Sequence, residues 1–160
     1  MVHDRLRDGT RIAQLLASEL TGDRAVLARV VVVDADPDIE PTADGARAYR
    51  VVLAASERDI AVGDRGHTEL TAGATDPTPI ATVFVQPERA RVEFGAEPAT
   101  AADAAETAEL RIRPKATRPP KTIVFVEDGA QVKRVVDVFR RVVEAAETTI
   151  EESEEHDPSR

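Results

Sequence analysis

Three residues, "PER", separate two strand-like runs in "IATVFVQPERARVEF", and that spacing constrains the fold more than any other feature. "IATVFVQ" (80–86) and "ARVEF" (90–94) have strand length and strand composition, so 80–94 reads as an antiparallel hairpin. Neighbouring parallel strands would need a crossover of a dozen residues or more. The chain around this hairpin repeats the theme. "VLARVVVVDA" (26–35) reads as a strand, and its continuous valines point to burial on both faces. "RAYRVVLAA" (47–55) reads as a second strand, after a loop broken by Pro37, Pro41 and Gly45. "LRIR" (110–113) alternates, and "TIVFVE" (122–127) reads as a central strand. Between them Pro114, Pro119 and Pro120 are expected to hold an extended loop.

Helical periodicity marks three other stretches. Ile12, Leu15, Leu16 and Leu20 recur at helical spacing in 4–20, with Asp4 or Asp8 as cap, Gly22 as stop and Gly9 weakening the first turn. "TAADAAETAEL" (100–110) is a short helix in which Thr100 and Asp103 form a variant capping box. Residues 129–150 carry Val132, Val135, Val136, Phe139, Val142, Val143, Ala146 and Ile150 as one apolar stripe, with Asp128 and Gln131 as an N-cap pair. The order is helix, four strands, helix, two strands, helix. Strands in consecutive runs indicate an α+β fold: one domain over 1–150, with a largely antiparallel sheet of about six strands and two or three helices mainly on one face. Residues 56–79 show no clear period and read as a mobile insertion, or a loose hairpin extension. The acidic end, 151–160, reads as a disordered tail.

At 160 residues the chain can bury a real core, and with 3% aromatic residues that core is aliphatic. Tyr49, Phe84, Phe94, Phe125 and Phe139 are too few for an extended base-stacking surface. With no cysteine, disulfides, thiol nucleophiles and cysteine-bound metals are excluded. No apolar run reaches bilayer-spanning length and "MVHDRLRDGT" has no hydrophobic signal core, so the expected location is cytoplasmic, away from membranes. The net charge is −9, and the 21 cationic residues include only three lysines. An acidic, arginine-using chain fits a salt-adapted cytosol, or a GC-rich genome.

Against that acidity, "RIRPKATRPPKT" (111–122) holds five cations and no acid. Arg111, Arg113, Lys115, Arg118 and Lys121 are joined on the following helix by Lys133 and Arg134. All three lysines fall in this region. Arginine forks and lysine point charges suit phosphate recognition, so these seven residues are the candidate anion-binding site. Arg111 and Arg113 share one strand face opposite Ile112, and Lys133 and Arg134 stand near a helix start where the dipole disfavours cations. The bland alternative is internal pairing: Asp137 has Lys133, Arg140 and Arg141 at helical spacing. Exposed pairs of that kind contribute only about 0–1 kcal/mol each and need no function.

Other motifs carry less. "DADPDIEP" alternates acids as a calcium loop does, but Ile39 and Gly45 stand where its glycine and bidentate glutamate belong. "VEDGA" opens a helix but places Glu127 and Asp128 where an anion would bind. Tyr49, the only tyrosine, reads as a buried ring with a bonded hydroxyl. His3, His67 and His156 pair with no nucleophile, and no serine lies in a G-x-S-x-G context. No catalytic residue, metal-ligand set or cofactor motif is assigned.

"RIAQLLASEL", "IEPTADGARAY", "VFVQPERARVEF", "LRIRPKAT" and "PPKTIVFVEDGAQVKR" resemble an uncharacterised family of small haloarchaeal proteins. The likeness covers most of the chain but not 56–79 or the acidic tail. It implies a salt-adapted origin and brings no activity. "TIVFVEDGAQVKRVVDVF" is also similar to the first strand and helix of an RNA-recognition motif, but the basic, glycine-rich aromatic strand is missing and the element order differs.

The functional expectation is therefore a small binding protein holding nucleic acid, or another anionic partner, on the basic segment. The alternative is a protein-interaction subunit that docks on an acidic protein or on its own copy. An enzyme acting on a phosphorylated small molecule, with Glu127 or Asp128 as base, is a distant third.

Overall fold

The computed structural model describes residues 7–23, 25–63 and 68–155. Helix α1 (Gly9–Gly22) starts at Asp8, whose carboxylate accepts from the Thr10 and Arg11 N–H groups at 3.0 and 3.3 Å. Asp4 lies outside the described residues. Gly9 has a reason beyond the helix: it packs against the backbone of the turn at Pro87, and its N–H donates to the Pro87 carbonyl at 3.2 Å. Only a residue without Cβ fits there.

Strands β1 (Val30–Val33), β2 (Ala46–Leu53), β5 (Thr78–Gln86), β6 (Arg89–Phe94), β7 (Ile112–Lys115) and β8 (Lys121–Val126) form one sheet in the order β1-β2-β5-β6-β8-β7. Every neighbouring pair is antiparallel. The hairpin over 80–94 is β5 and β6, paired from Ala81 with Phe94 to Gln86 with Arg89. The α+β single-domain reading holds, with α1, α2 (Pro98–Thr107) and α3 (Gly129–Glu155) all contributing to the core on one face. Ile12, Leu16 and Leu20 of α1 and Val135, Phe139 and Val142 of α3 close over Val83, Val92 and Val124. Phe94 and Phe139 meet with ring centroids 4.8 Å apart.

Several boundaries differ from the sequence reading. The first strand begins only at Val30, because 25–29 form turns. Its valines are covered on both sides, Val30 in the main core and Val31 in a second small cluster. That second cluster accounts for 56–79: β3 (Ile60–Val62) and β4 (Thr68–Leu70) form a two-stranded hairpin whose Ile60 and Leu70 pack against Val31, Val52 and Ala54. Helix α2 starts at Glu97 in a left-handed conformation followed by Pro98, not at a Thr100 capping box. Proline at the first helical position lacks only an N–H that has no helical partner anyway. Strand β7 runs through Pro114, which an edge strand tolerates because one side of its ladder is free. Helix α3 continues to Glu155, so the first part of the acidic end is helical; 156–160 lie outside the described residues. Its N-terminus is capped as expected, with Gln131 N–H donating to Asp128 at 3.0 Å and Glu127 N–H donating to Gln131 at 2.8 Å. Among the described residues no helix is long and apolar enough to cross a membrane.

Candidate anion-binding face

Strand alternation decides where the cations go. Val83, Val92 and Val124 face the helices, so the residues between them face the other way. Partner by partner, that open face carries Arg47 and Arg50 from β2, Arg89 and Arg91 from β6, Arg113 and Lys115 from β7 and Lys121 from β8. Arg111, whose carbonyl accepts from Phe125 N–H, precedes β7 on the same side. Against these eight cations stand Glu93, Glu127 and, at the β1 edge, Asp34. Among these named residues the balance is five positive charges, in a chain of net charge −9.

Two phenylalanines anchor the arginines. The Arg89 guanidinium lies 4.1 Å from the Phe125 ring centroid and Arg91 lies 4.6 Å from that of Phe84. Such stacks favour the cation electrostatically and hold it in place. They also cover the rings, so the phenylalanines are not a free stacking platform. Arg91 is fixed further by donating to the Asp44 carbonyl at 2.9 Å, and its guanidinium lies against Gly45, which adopts φ +96°.

Acids organise part of this surface. Glu93, only 4% exposed, bridges Arg91 (3.1 Å) and Lys115 (3.2 Å). Glu127 bridges Arg89 (3.4 Å) and Arg111 (3.6 Å). Asp34 holds Arg50 at 2.7 Å. Arg47, Arg113, Arg118 and Lys121 have no carboxylate within 4.0 Å among the described residues.

The structure divides the seven residues singled out from the sequence. Arg111, Arg113, Lys115 and Lys121 belong to the open face, and Arg118 sits in the loop that joins its last two strands. That loop is folded on itself rather than extended: Thr117 N–H donates to the Lys115 carbonyl at 2.9 Å and its hydroxyl donates to the Pro119 carbonyl at 2.8 Å. Lys133 and Arg134 are exposed on α3, in the helical layer on the other side of the sheet, beyond the opposite end of β8. The internal pairing expected on α3 is only partly present. Asp137 pairs with Arg140, but Arg141 turns to Asp103 at 2.7 Å. Arg47, Arg50, Arg89 and Arg91 lie outside the basic run, although "RARVE" already alternates cation, apolar, cation, apolar, acid.

Two recesses flank this face. One, of about 670 Å³, is lined by Arg7, Gln86, Arg89, Glu127, Asp128 and Gln131. It joins the two acids considered as bases to cations, yet Asp128 caps α3 and Glu127 is held by two arginines. The other, of about 400 Å³, includes Arg50, Thr82, Glu93 and Lys121.

A family model matches residues 1–156. The chain belongs to DUF7993, a family of unknown function. The DUF7993 match runs through 56–79 and into the acidic end, both of which the sequence resemblance left out. No curated protein and no solved structure matches this DUF7993 chain.

Proposed function

We propose that this chain is a small binding module that holds an anionic partner, nucleic acid first, on the open face of its sheet and the loop after β7. One observation carries the reading: an acidic chain gathers eight cations on one sheet face, and Arg47, Arg113 and Lys121 there, with Arg118 in the adjoining loop, have no carboxylate partner among the described residues. The arginines stacked on Phe84 and Phe125 are already ordered, which lowers the entropy lost on binding. The acidic composition and scarcity of lysine support a salt-adapted cytoplasm of haloarchaeal type as the setting. In molar salt the screening length is about 3 Å, so attraction acts only at contact. A shaped, pre-ordered surface suits that condition better than a flexible basic tail.

The test is the ultraviolet spectrum of protein purified natively in molar KCl, with sequencing of any nucleic acid that accompanies it. Co-purified nucleic acid that disappears in the Arg113→Glu, Lys121→Glu variant supports the reading. Nucleic acid retained by that variant sinks it. Protein free of nucleic acid from the outset transfers the same four cations to the second reading, an acidic protein partner or another copy of the chain.

A further inference from the structure

The end of the open face where β6 and β7 finish holds a pairing that folding alone does not favour. Lys115, the last residue of β7, and Lys121, the first of β8, are direct cross-strand partners. The next pair along, Pro114 with Thr122, faces the helices, where the Thr122 hydroxyl donates to the Pro98 carbonyl at 2.6 Å. Both lysines therefore stand on the open face. Like charges directly opposite each other destabilise a strand pair. Arg113 adds a third cation on the same face, two residues and about 7 Å from Lys115. Glu93 holds Lys115 at 3.2 Å but is shared with Arg91 at 3.1 Å. Arg113 and Lys121 have no carboxylate within 4.0 Å among the described residues. The connecting loop, 116–120, adds Arg118 and no acid. Space is open beside the pair: Lys121 and Gly95 line the 400 Å³ recess, and a Cβ on Gly95 would meet nothing within 4 Å among the described residues.

Charge density selects the ligand. An internal phosphodiester carries one negative charge, and successive phosphates along a strand are spaced much as successive same-face residues are along β7. Arg111, Arg113 and Lys115 follow that interval, one cation to a phosphate. Only at Lys115 and Lys121 do two cations stand side by side. A phosphate monoester carries about 1.5–2 negative charges at pH 7 and presents three acceptor oxygens. It offsets two facing lysines better than an internal phosphate does, and a nucleic-acid strand carries a monoester only at its end. The column of cations also stops here, at the end of the sheet.

Resting on the binding function proposed above, we infer that Lys115 and Lys121 form a terminal-phosphate subsite for a single nucleic-acid strand whose backbone follows β7 over Arg113 and Arg111. The experiment is fluorescence anisotropy of the wild-type chain in KCl with one internally labelled sequence of about ten nucleotides, made as RNA and as DNA. Each is prepared with both ends hydroxyl, with a 5′-phosphate and with a 3′-phosphate. A phosphorylated form is expected to bind about tenfold or more tightly than the hydroxyl form, in keeping with added charge-assisted hydrogen bonds, and it identifies the end that is held. Equal affinities of the three forms overturn the subsite and leave the binding module standing. Failure of every probe to bind overturns both. Lys121→Gln, with folding checked by thermal melting, is expected to bring the phosphorylated form down to the affinity of the hydroxyl form, and Lys121→Arg to keep the preference. Lys133→Gln, on α3, is the control and is expected to leave the preference unchanged. A preference that survives in folded Lys121→Gln places the terminal phosphate elsewhere and refutes the assignment.

Discussion

Replacing Gly9 by alanine tests the fold where local propensity and packing disagree in sign. Glycine in a helix is less favourable than alanine by about 1 kcal/mol, so propensity alone predicts a gain from Gly9→Ala. The structure predicts a loss. A Cβ on Gly9 would lie 2.6 Å from the Arg89 carbonyl oxygen and closer still to that of Gln86. Both obstacles are backbone in the β5–β6 turn, so relief requires moving α1 away from the sheet. Overpacking of this kind costs about 1–3 kcal/mol, occasionally more, which exceeds the propensity gain at most of that range. The same step would lengthen the 3.2 Å hydrogen bond from Gly9 to Pro87. Gly22, at the other end of the helix, is the matched control: among the described residues nothing lies within 4 Å of its added Cβ. Gly22→Ala is therefore expected to be neutral or stabilising by up to about 1 kcal/mol. Urea unfolding in KCl, followed by circular dichroism, measures both. A Gly9→Ala chain as stable as wild type, or more so, would refute the close approach of α1 to the hairpin turn.

Two further expectations concern titration. Burial pushes the Tyr49 phenol above its ordinary value, and its hydroxyl donates to the Ala13 carbonyl at 2.7 Å. Because the folded state favours the neutral form, the stabilisation is complete below the unfolded value of about 10 and is lost as pH rises past it. As the only tyrosine, Tyr49 should show no phenolate absorbance until the chain unfolds; Tyr49→Phe should cost about 1 kcal/mol at pH 7 and lessen the alkaline sensitivity. The Asp23 carboxyl is held below its ordinary value by the Ala25 N–H, with burial opposing and Arg140 assisting at 3.0 Å. Its contribution is present above about pH 4 and fades as pH falls through the lower folded value, so Asp23→Asn should cost about 1–3 kcal/mol at pH 7 and less at pH 2. Equal losses at the two pH values would refute that assignment.

The elements legible in the sequence are those whose signal is local. The β5–β6 hairpin follows from a three-residue spacing, the α3 stripe from periodicity, and the α3 cap from Asp128 and Gln131. The signals that misled are those that tertiary position overrides. Pro114 indicates a break unless its strand lies at an edge, and edge position is a property of the finished sheet. The β3–β4 hairpin has only three-residue strands, too short for a period, and its place is set by Val31 and Val52 far away in the chain. Gly9 looks like a helix weakness until the turn it touches is present.

The candidate site obeys the same logic. A linear run of cations drew attention to 111–134, and linear proximity joined Lys133 and Arg134 to Lys121. Strand β8 separates them: Lys121 begins it, α3 begins beyond its far end, and α3 packs on the other side of the sheet. The surface that does form is assembled across strands. Arg91 lies opposite Phe84 on one side and Phe125 on the other, and Arg113 lies opposite Ile123, in pairings fixed by register. A one-residue slip in β6 would turn Arg89, Arg91 and Glu93 into the core and Val92 out to solvent. The cost of burying those charges makes the register of β6, and with it the charge pattern of the open face, a consequence of folding itself.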